Sequence, residues 1–216
     1  MIGIYGGTFD PIHYGHLRVA LEVSEILGLS ELRFIPCQIP PHRNAPGASP
    51  EQRLRLLQAA LHNNAPPAFI IDTRDLARPG PSYMVDTLHS IRSEAGEETP
   101  LALILGMDAF LSLPSWHQWQ RLPELAHIVV MRRPGVHQHW SSASEMEFRH
   151  RCTDQTDDLY QSPSGKVYFA EVTLLDISAS RVRQLINKGR SARYLTPDPV
   201  LDLIEDMKLY REDQKA

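Results

Sequence analysis

Two histidines three residues apart, His13 and His16, flank a single glycine in the string GGTFDPIHYGH, from Gly6 to His16. The glycine pair Gly6-Gly7 follows the apolar run IGIY. Without a Cβ, such a pair lets the backbone turn tightly and come close to a bulky anion. Asp10-Pro11 is turn chemistry. If a helix begins near Gly15, His16 lies in its first turn, where unpaired N–H groups and the helix dipole favour phosphate. Both imidazoles can then face one bound anion. A zinc site would need a third protein ligand, and none is indicated nearby, so no metal site is assigned.

A second group of phosphate-suited residues stands near the other end of the chain, in ISASRVR, Ile177 to Arg183. Either Ser178 or Ser180 can cap the helix that follows, and both hydroxyls can donate to phosphate oxygens. Arg183 supplies a planar, permanently charged fork. Residues 177–193 carry Arg181, Arg183, Lys188, Arg190 and Arg193 and no acid.

These groups need a scaffold that brings them together. IGIY, LRFIP (32–36), FII (69–71), LALIL (101–105), HIVVM (127–131) and KVYFAEV (166–172) read as strands. The near-continuous apolar runs among them suit strands covered on both faces. Helical spacing runs from His16 to Leu27, where Gly28 stops it, and again after Ser49-Pro50 through Leu54, Leu57 and Leu61. A further helix carries Val85, Leu88 and Ile91, with Ser82 able to cap it, and two helices close the chain, from about Ser178 to Lys188 and about Pro199 to Leu209. Strands alternating with helices predict an α/β, Rossmann-like open parallel sheet with helices on both faces. Ligands of such sheets sit beyond the carboxyl ends of the strands, where strand order reverses. The length suits one domain over residues 1–216, with a polar insertion or mobile flank at about 137–165, which includes His137 and His139.

With these motifs in order along nearly the whole chain, the sequence resembles the HxGH nucleotidyltransferase superfamily and, within it, the bacterial nicotinate-nucleotide adenylyltransferases. The resemblance implies the nucleotidyltransferase fold, His13 and His16 as catalytic residues, and ATP contacts from Gly6, Gly7, Thr8, Phe9, Ser178, Ser180 and Arg183. The segment resembles the family's ISSTxIR type and departs within its serine pair at Ala179, where serine is usual, while Ser178, Ser180 and Arg183 remain. PPHR (40–43) resembles the family's PPH-basic loop, which makes His42 and Arg43 candidates for the phosphate of the mononucleotide. SYMVDT (82–87) matches the family's SYTxDT except at Met84. There Ser82, Tyr83 and Met84 would border the pyridine ring, with backbone N–H groups for its carboxylate that tolerate a changed side chain. In GMD (106–108), Asp108 would accept a ribose hydroxyl. In SWHQW (115–119), Trp116, beside His117, would stack on the ring, and Arg133 of RRP would help neutralise the substrate. The expected substrates are ATP and nicotinate mononucleotide, with Mg2+ carried mainly on the substrate.

Composition limits the alternatives. Twenty-two Lys+Arg against 26 Asp+Glu give a net charge of −4, which excludes a broad nucleic-acid surface but not a local nucleotide site. With two cysteines, Cys37 and Cys152, no signal-like N-terminus and no long apolar run, the expectation is a cytoplasmic protein with no membrane partner. Other transferases of the superfamily, acting on nicotinamide mononucleotide or phosphopantetheine, share the first and last motifs; PPHR, SYMVDT and SWHQW weigh against the phosphopantetheine enzymes. Intact His13, His16 and Arg183 weigh against a regulator that binds nucleotide without turnover.

Overall fold

A computed structural model describes residues 1–40, 46–62, 66, 68–135 and 146–211. Strands β1 (Ile2–Gly7), β2 (Glu31–Pro36), β3 (Phe69–Ile71), β4 (Leu101–Gly106), β5 (His127–Arg132), β6 (Cys152–Thr153) and β7 (Val167–Glu171) form one sheet in the order β3-β2-β1-β4-β5-β7-β6. All of these pairings are parallel. The order runs one way from β1 to β3 and the other way from β4 onward, so the switch point lies between β1 and β4. That places the loop after β1 at the crevice where open α/β sheets bind ligands.

Alternating residues of the central strands feed two cores, one on each face. On one face Tyr5, Ala102 and Ile104 pack with Val19 and Val23 of α1 (Tyr14–Leu27), Leu56 and Leu57 of α2 (Pro50–Leu61), and Val200 and Ile204 of a helix at Asp198–Asp206. On the other, Ile4, Leu103 and Leu105 pack with Val85, Leu88 and Ile91 of α4 (Met84–Ala95), Phe110 of α5 (Met107–Ser112) and Leu122 of α6 (Leu122–Leu125). A short α3 (Arg74–Ala77) precedes α4; the last two helices are α7 (Ala179–Asn187) and α8 (Asp198–Asp206). Among the described residues no helix is long and apolar enough to cross a membrane.

The helix α1 starts at Tyr14, next to Gly15 as expected, with His13 as its N-cap. Two local details depart from the sequence reading. Ser82 does not cap α4: Tyr83 holds that position, and the Ser82 hydroxyl accepts the Gln38 N–H at 2.8 Å instead, tying the loop after β2 to α4. On α2 the buried residues are Arg53, Leu56 and Leu57, a face rotated from the Leu54-Leu57-Leu61 stripe. The expected cap of α2 is present, with Ser49 accepting the Gln52 N–H at 3.3 Å and Pro50 opening the helix. Of the stretch expected as an insertion or mobile flank, residues 146–165 are described and built into the fold. There Phe148 is fully buried against Phe110 and Trp119, Leu159 is buried, and β6 pairs with β7.

Candidate functional site

The loop between β1 and α1 is held by its carbonyl groups. At Thr8 the carbonyl accepts Nη1 of Arg53, from α2, at 2.7 Å. Two residues on, the Asp10 carbonyl accepts Nη1 of Arg183, from α7, at 2.6 Å. After two more residues the Ile12 carbonyl accepts the hydroxyl of Thr196, just before α8, at 2.7 Å. Alternate carbonyls are thus drawn to three separate elements, which turns acceptor oxygens toward protein donors and away from any incoming anion. The Tyr14 N–H, donating to the Leu195 carbonyl at 3.0 Å, ties the start of α1 to the same terminal segment.

Asp10 anchors the loop through its side chain as well. Its carboxylate, 5% exposed, accepts N–H groups of Gly47 at 2.8 Å and Ala48 at 3.2 Å and the Tyr210 hydroxyl at 2.8 Å. Nη1 of Arg183 lies 3.6 Å from the same carboxylate. Burial, together with that negative charge, pushes the Tyr210 phenol well above its usual range, so it stays a proton donor. Phe9 turns the loop with φ 48°, a left-handed value unusual for a side chain of this size, and its buried ring packs edge-on against Tyr5 and His16.

Within this frame the two histidine rings lie 3.7 Å apart between centroids, tilted by 30°. The His13 N–H donates to Nδ1 of His16 at 3.3 Å. In a neutral His16 the proton is therefore on Nε2, which is the nitrogen able to donate. His13 is 5% exposed, and burial lowers its pKa to about 4, so at neutral pH it is uncharged. Its Nδ1 has no hydrogen-bond partner among the described residues. Gly15 permits this packing: a Cβ there would lie 3.0 Å from the His13 ring and 3.4 Å from the Ile177 carbonyl. Ile177 heads the ISASRVR segment, so the same contact brings the first and last motifs together.

The remaining candidates fall into three groups. At α7, Ser178 caps the helix by accepting the Arg181 N–H at 3.2 Å, while Nη2 of Arg183 donates to Ser180 at 3.3 Å. Both serines are exposed. Gly6 and Gly7 end β1, and a Cβ on Gly6 would meet the Met84 side chain at 2.7 Å, which sets the SYM segment against the loop. Tyr83 stacks on His117 with centroids 4.5 Å apart. Trp116, half-buried, precedes His117 and packs on the core beneath α4 and α5. Asp108 is exposed in the first turn of α5, where Gly106, not Asp108, is the cap. Past the carboxyl end of β5, Arg133 is exposed, whereas its neighbour Arg132 is paired with Glu171 at 3.1 Å. His42 and Arg43 lie outside the described residues.

From sequence Asp10 reads as a turn residue, and Arg53, Tyr210 and a buried cluster behind Tyr83 carry no expected role. In that cluster Thr87 donates to Asp75 at 2.6 Å and Arg78 pairs with Asp75 at 3.1 Å, while the Thr87 hydroxyl also lies 3.2 Å from the Tyr83 carbonyl. A cation on the apolar face of α2 was the signal available for Arg53. Nothing local marked Tyr210, which is 200 residues from its partner.

Residues 4–185 match the cytidylyltransferase-like family model. A Methylococcus capsulatus protein named "Probable nicotinate-nucleotide adenylyltransferase" is 55% identical over 97% of this chain and 99% of its own. A Marinobacter nauticus protein of the same name is 47% identical over 96% and 95%. Among solved structures, Plasmodium falciparum nicotinic acid mononucleotide adenylyltransferase complexed with NaAD shares the fold, with a TM-score of 0.71 at 20% identity over 97% of this chain and 96% of that one.

Proposed function

The chain belongs to the cytidylyltransferase-like family and, within it, to the nicotinate-nucleotide adenylyltransferases, and from that premise we infer that it joins ATP to nicotinate mononucleotide. The products are pyrophosphate and nicotinate adenine dinucleotide, a step of NAD biosynthesis. The observation that carries the assignment to this site is the His13–His16 pair at the β1/β4 switch point, in a loop whose carbonyls are tied back into the protein.

A phosphate oxygen of the mononucleotide, already ionised at neutral pH, attacks the α-phosphorus of ATP in line as pyrophosphate leaves. No general base is required. The protein has to align two phosphates and stabilise charge that shifts toward the leaving group. His16 donates through Nε2 to the α-phosphate, with neutral His13 supporting it. Gly6, Gly7, Thr8 and Phe9 line the phosphates of ATP, and Ser178, Ser180 and Arg183 hold the β- and γ-phosphates. His42 and Arg43 take the mononucleotide phosphate. The Ser82–Met84 backbone, Trp116 and His117 receive the pyridine carboxylate and ring, Asp108 the ribose, and Arg133 adds positive charge. Magnesium enters with ATP as part of that substrate. Among the described residues no group of three or more His, Cys, Asp or Glu is placed to hold a metal ion.

The test is direct. Purified protein with ATP and nicotinate mononucleotide should yield nicotinate adenine dinucleotide and pyrophosphate in equal amounts. His16→Ala should lower turnover on the order of a hundredfold or more with the fold intact. A nearly wild-type rate in a folded His16→Ala protein would remove His16 from the mechanism, and absence of product from wild type would remove the function.

A further inference from the structure

Arg53 is fully buried, yet it forms no ion pair among the described residues. Its guanidinium instead meets three backbone carbonyls: Thr8 at 2.7 Å, Cys37 at 2.7 Å and Gln38 at 3.2 Å. Nε has no partner. These carbonyls stand at the carboxyl ends of β1 and β2, on the ligand side of the sheet. A buried guanidinium normally sits beside a carboxylate, because an isolated charge is costly to desolvate. Here carbonyl dipoles solvate the cation and no carboxylate among the described residues pairs with it, so its positive charge lies beneath the loop that follows β1.

A trans peptide is planar, with its C=O and N–H on opposite sides, and the Thr8–Phe9 peptide is trans, since Asp10-Pro11 is the one cis bond among the described residues. Holding the Thr8 carbonyl toward α2 therefore fixes the Phe9 N–H toward the opposite side. The buried Phe9 ring and its left-handed backbone stop the peptide from rotating. Among the described residues the Phe9 N–H has no backbone acceptor.

We propose that Arg53 is a positioning residue for phosphate transfer, holding the Thr8–Phe9 peptide with its N–H toward the ATP phosphates and placing a positive charge behind it. The proposal rests on the adenylyltransferase reading above. Arg53 touches no substrate; it acts through the loop.

The test uses the full-length enzyme, with wild type, Arg53→Ala and Arg53→Lys compared for steady-state kinetics and for calorimetric binding of a non-hydrolysable ATP analogue. Near-ultraviolet circular dichroism verifies folding. Arg53→Ala is expected to lower kcat/KM for ATP at least about tenfold and to weaken the analogue in parallel, with a clearly smaller change in KM for nicotinate mononucleotide, whose side of the site Arg53 reaches only through the Cys37 and Gln38 carbonyls. Added guanidinium ion should restore part of the ATP kcat/KM in Arg53→Ala and none in wild type, and sodium chloride at equal ionic strength should restore none. A merely structural role would move both substrates together and show no such rescue, and that result overturns the proposal. So does a folded Arg53→Ala protein with ATP parameters within about twofold of wild type. Should Arg53→Ala fail to fold, Arg53→Lys carries the test: a selective loss for ATP supports the role, and an unchanged ATP kcat/KM refutes it. If wild type binds the analogue but forms no dinucleotide, the functional reading fails while the Arg53 effect on affinity is still read.

Discussion

Acid should destabilise this protein through His13 by an amount the structure sets. The imidazole is buried, and its pKa falls to about 4 because burial disfavours the charged form. In the unfolded chain the same group titrates near the ordinary value of about 6.5. Below that pH the unfolded state binds a proton that the folded state refuses, so stability falls as pH falls, with the loss complete near the folded value. At about pH 4.5 the difference amounts to about 2.5 kcal/mol of lost stability, from about 1.4 kcal/mol per pH unit corrected for partial protonation of the folded form. Replacing His13 with Gln removes this titration. The variant will differ from wild type at neutral pH through lost packing on His16, so the quantity to compare is each protein's change between pH 7 and about pH 4.5. Urea unfolding followed by tryptophan fluorescence measures it. The wild-type change should exceed that of His13→Gln by about 2 to 3 kcal/mol. Other buried groups, His127 among them with its pKa also lowered by burial, are common to both proteins and cancel. Equal changes within about 0.5 kcal/mol would show that His13 is not buried neutral, and would refute its role as an uncharged donor.

Two further substitutions probe the frame of the site. Asp10→Asn keeps the shape but turns one acceptor oxygen into a donor facing the Gly47 and Ala48 N–H groups or the Tyr210 hydroxyl; it should lower stability by about 3 kcal/mol or more, and a loss under about 1 kcal/mol in thermal unfolding counts against the hub. Thr87→Val removes the donor to Asp75 while keeping side-chain shape. Because that cluster lies behind Tyr83, the expected kinetic result is a severalfold rise in KM for nicotinate mononucleotide with KM for ATP unchanged, and a change confined to ATP would sink the placement of the pyridine subsite.

Much of this was readable from sequence because the signals were local. Apolar runs of strand length marked β1, β2, β4 and β5, and the Ser49-Pro50 start of α2 is chemistry contained within a single turn. The sheet order was expected only as a class; which strand lies beside β1 depends on crossovers that no short window records. For the site, GGTFDPIHYGH and ISASRVR were conspicuous, yet the contact between them depends on the Ile177 carbonyl approaching Gly15, a fact of packing. The helical period of α2 was read correctly but its phase was not, because Arg53 occupies a buried position that an apolar-stripe rule assigns to solvent. The polarity of 146–165 likewise hid two buried anchors, Phe148 and Leu159.

The net charge of −4 describes the surface and says little about the site. Two guanidinium groups, Arg53 from α2 and Arg183 from α7, grip the carbonyls of Thr8 and Asp10. On the proposed reading the arrangement would serve anion binding twice, since it turns away acceptor oxygens that would repel phosphate and keeps cationic groups nearby. It also answers why Arg183, expected at the β- and γ-phosphates, is already engaged by Asp10 and Ser180. A guanidinium has five N–H donors, so one fork can stay on the loop while other donors turn to a ligand. A cation held this way loses little freedom when ATP arrives, and a site built from such groups gains its advantage from preorganisation more than from charge count. On this argument, adding a solvent-exposed lysine near α7 cannot substitute for Arg183, because it supplies charge without the hold on Asp10.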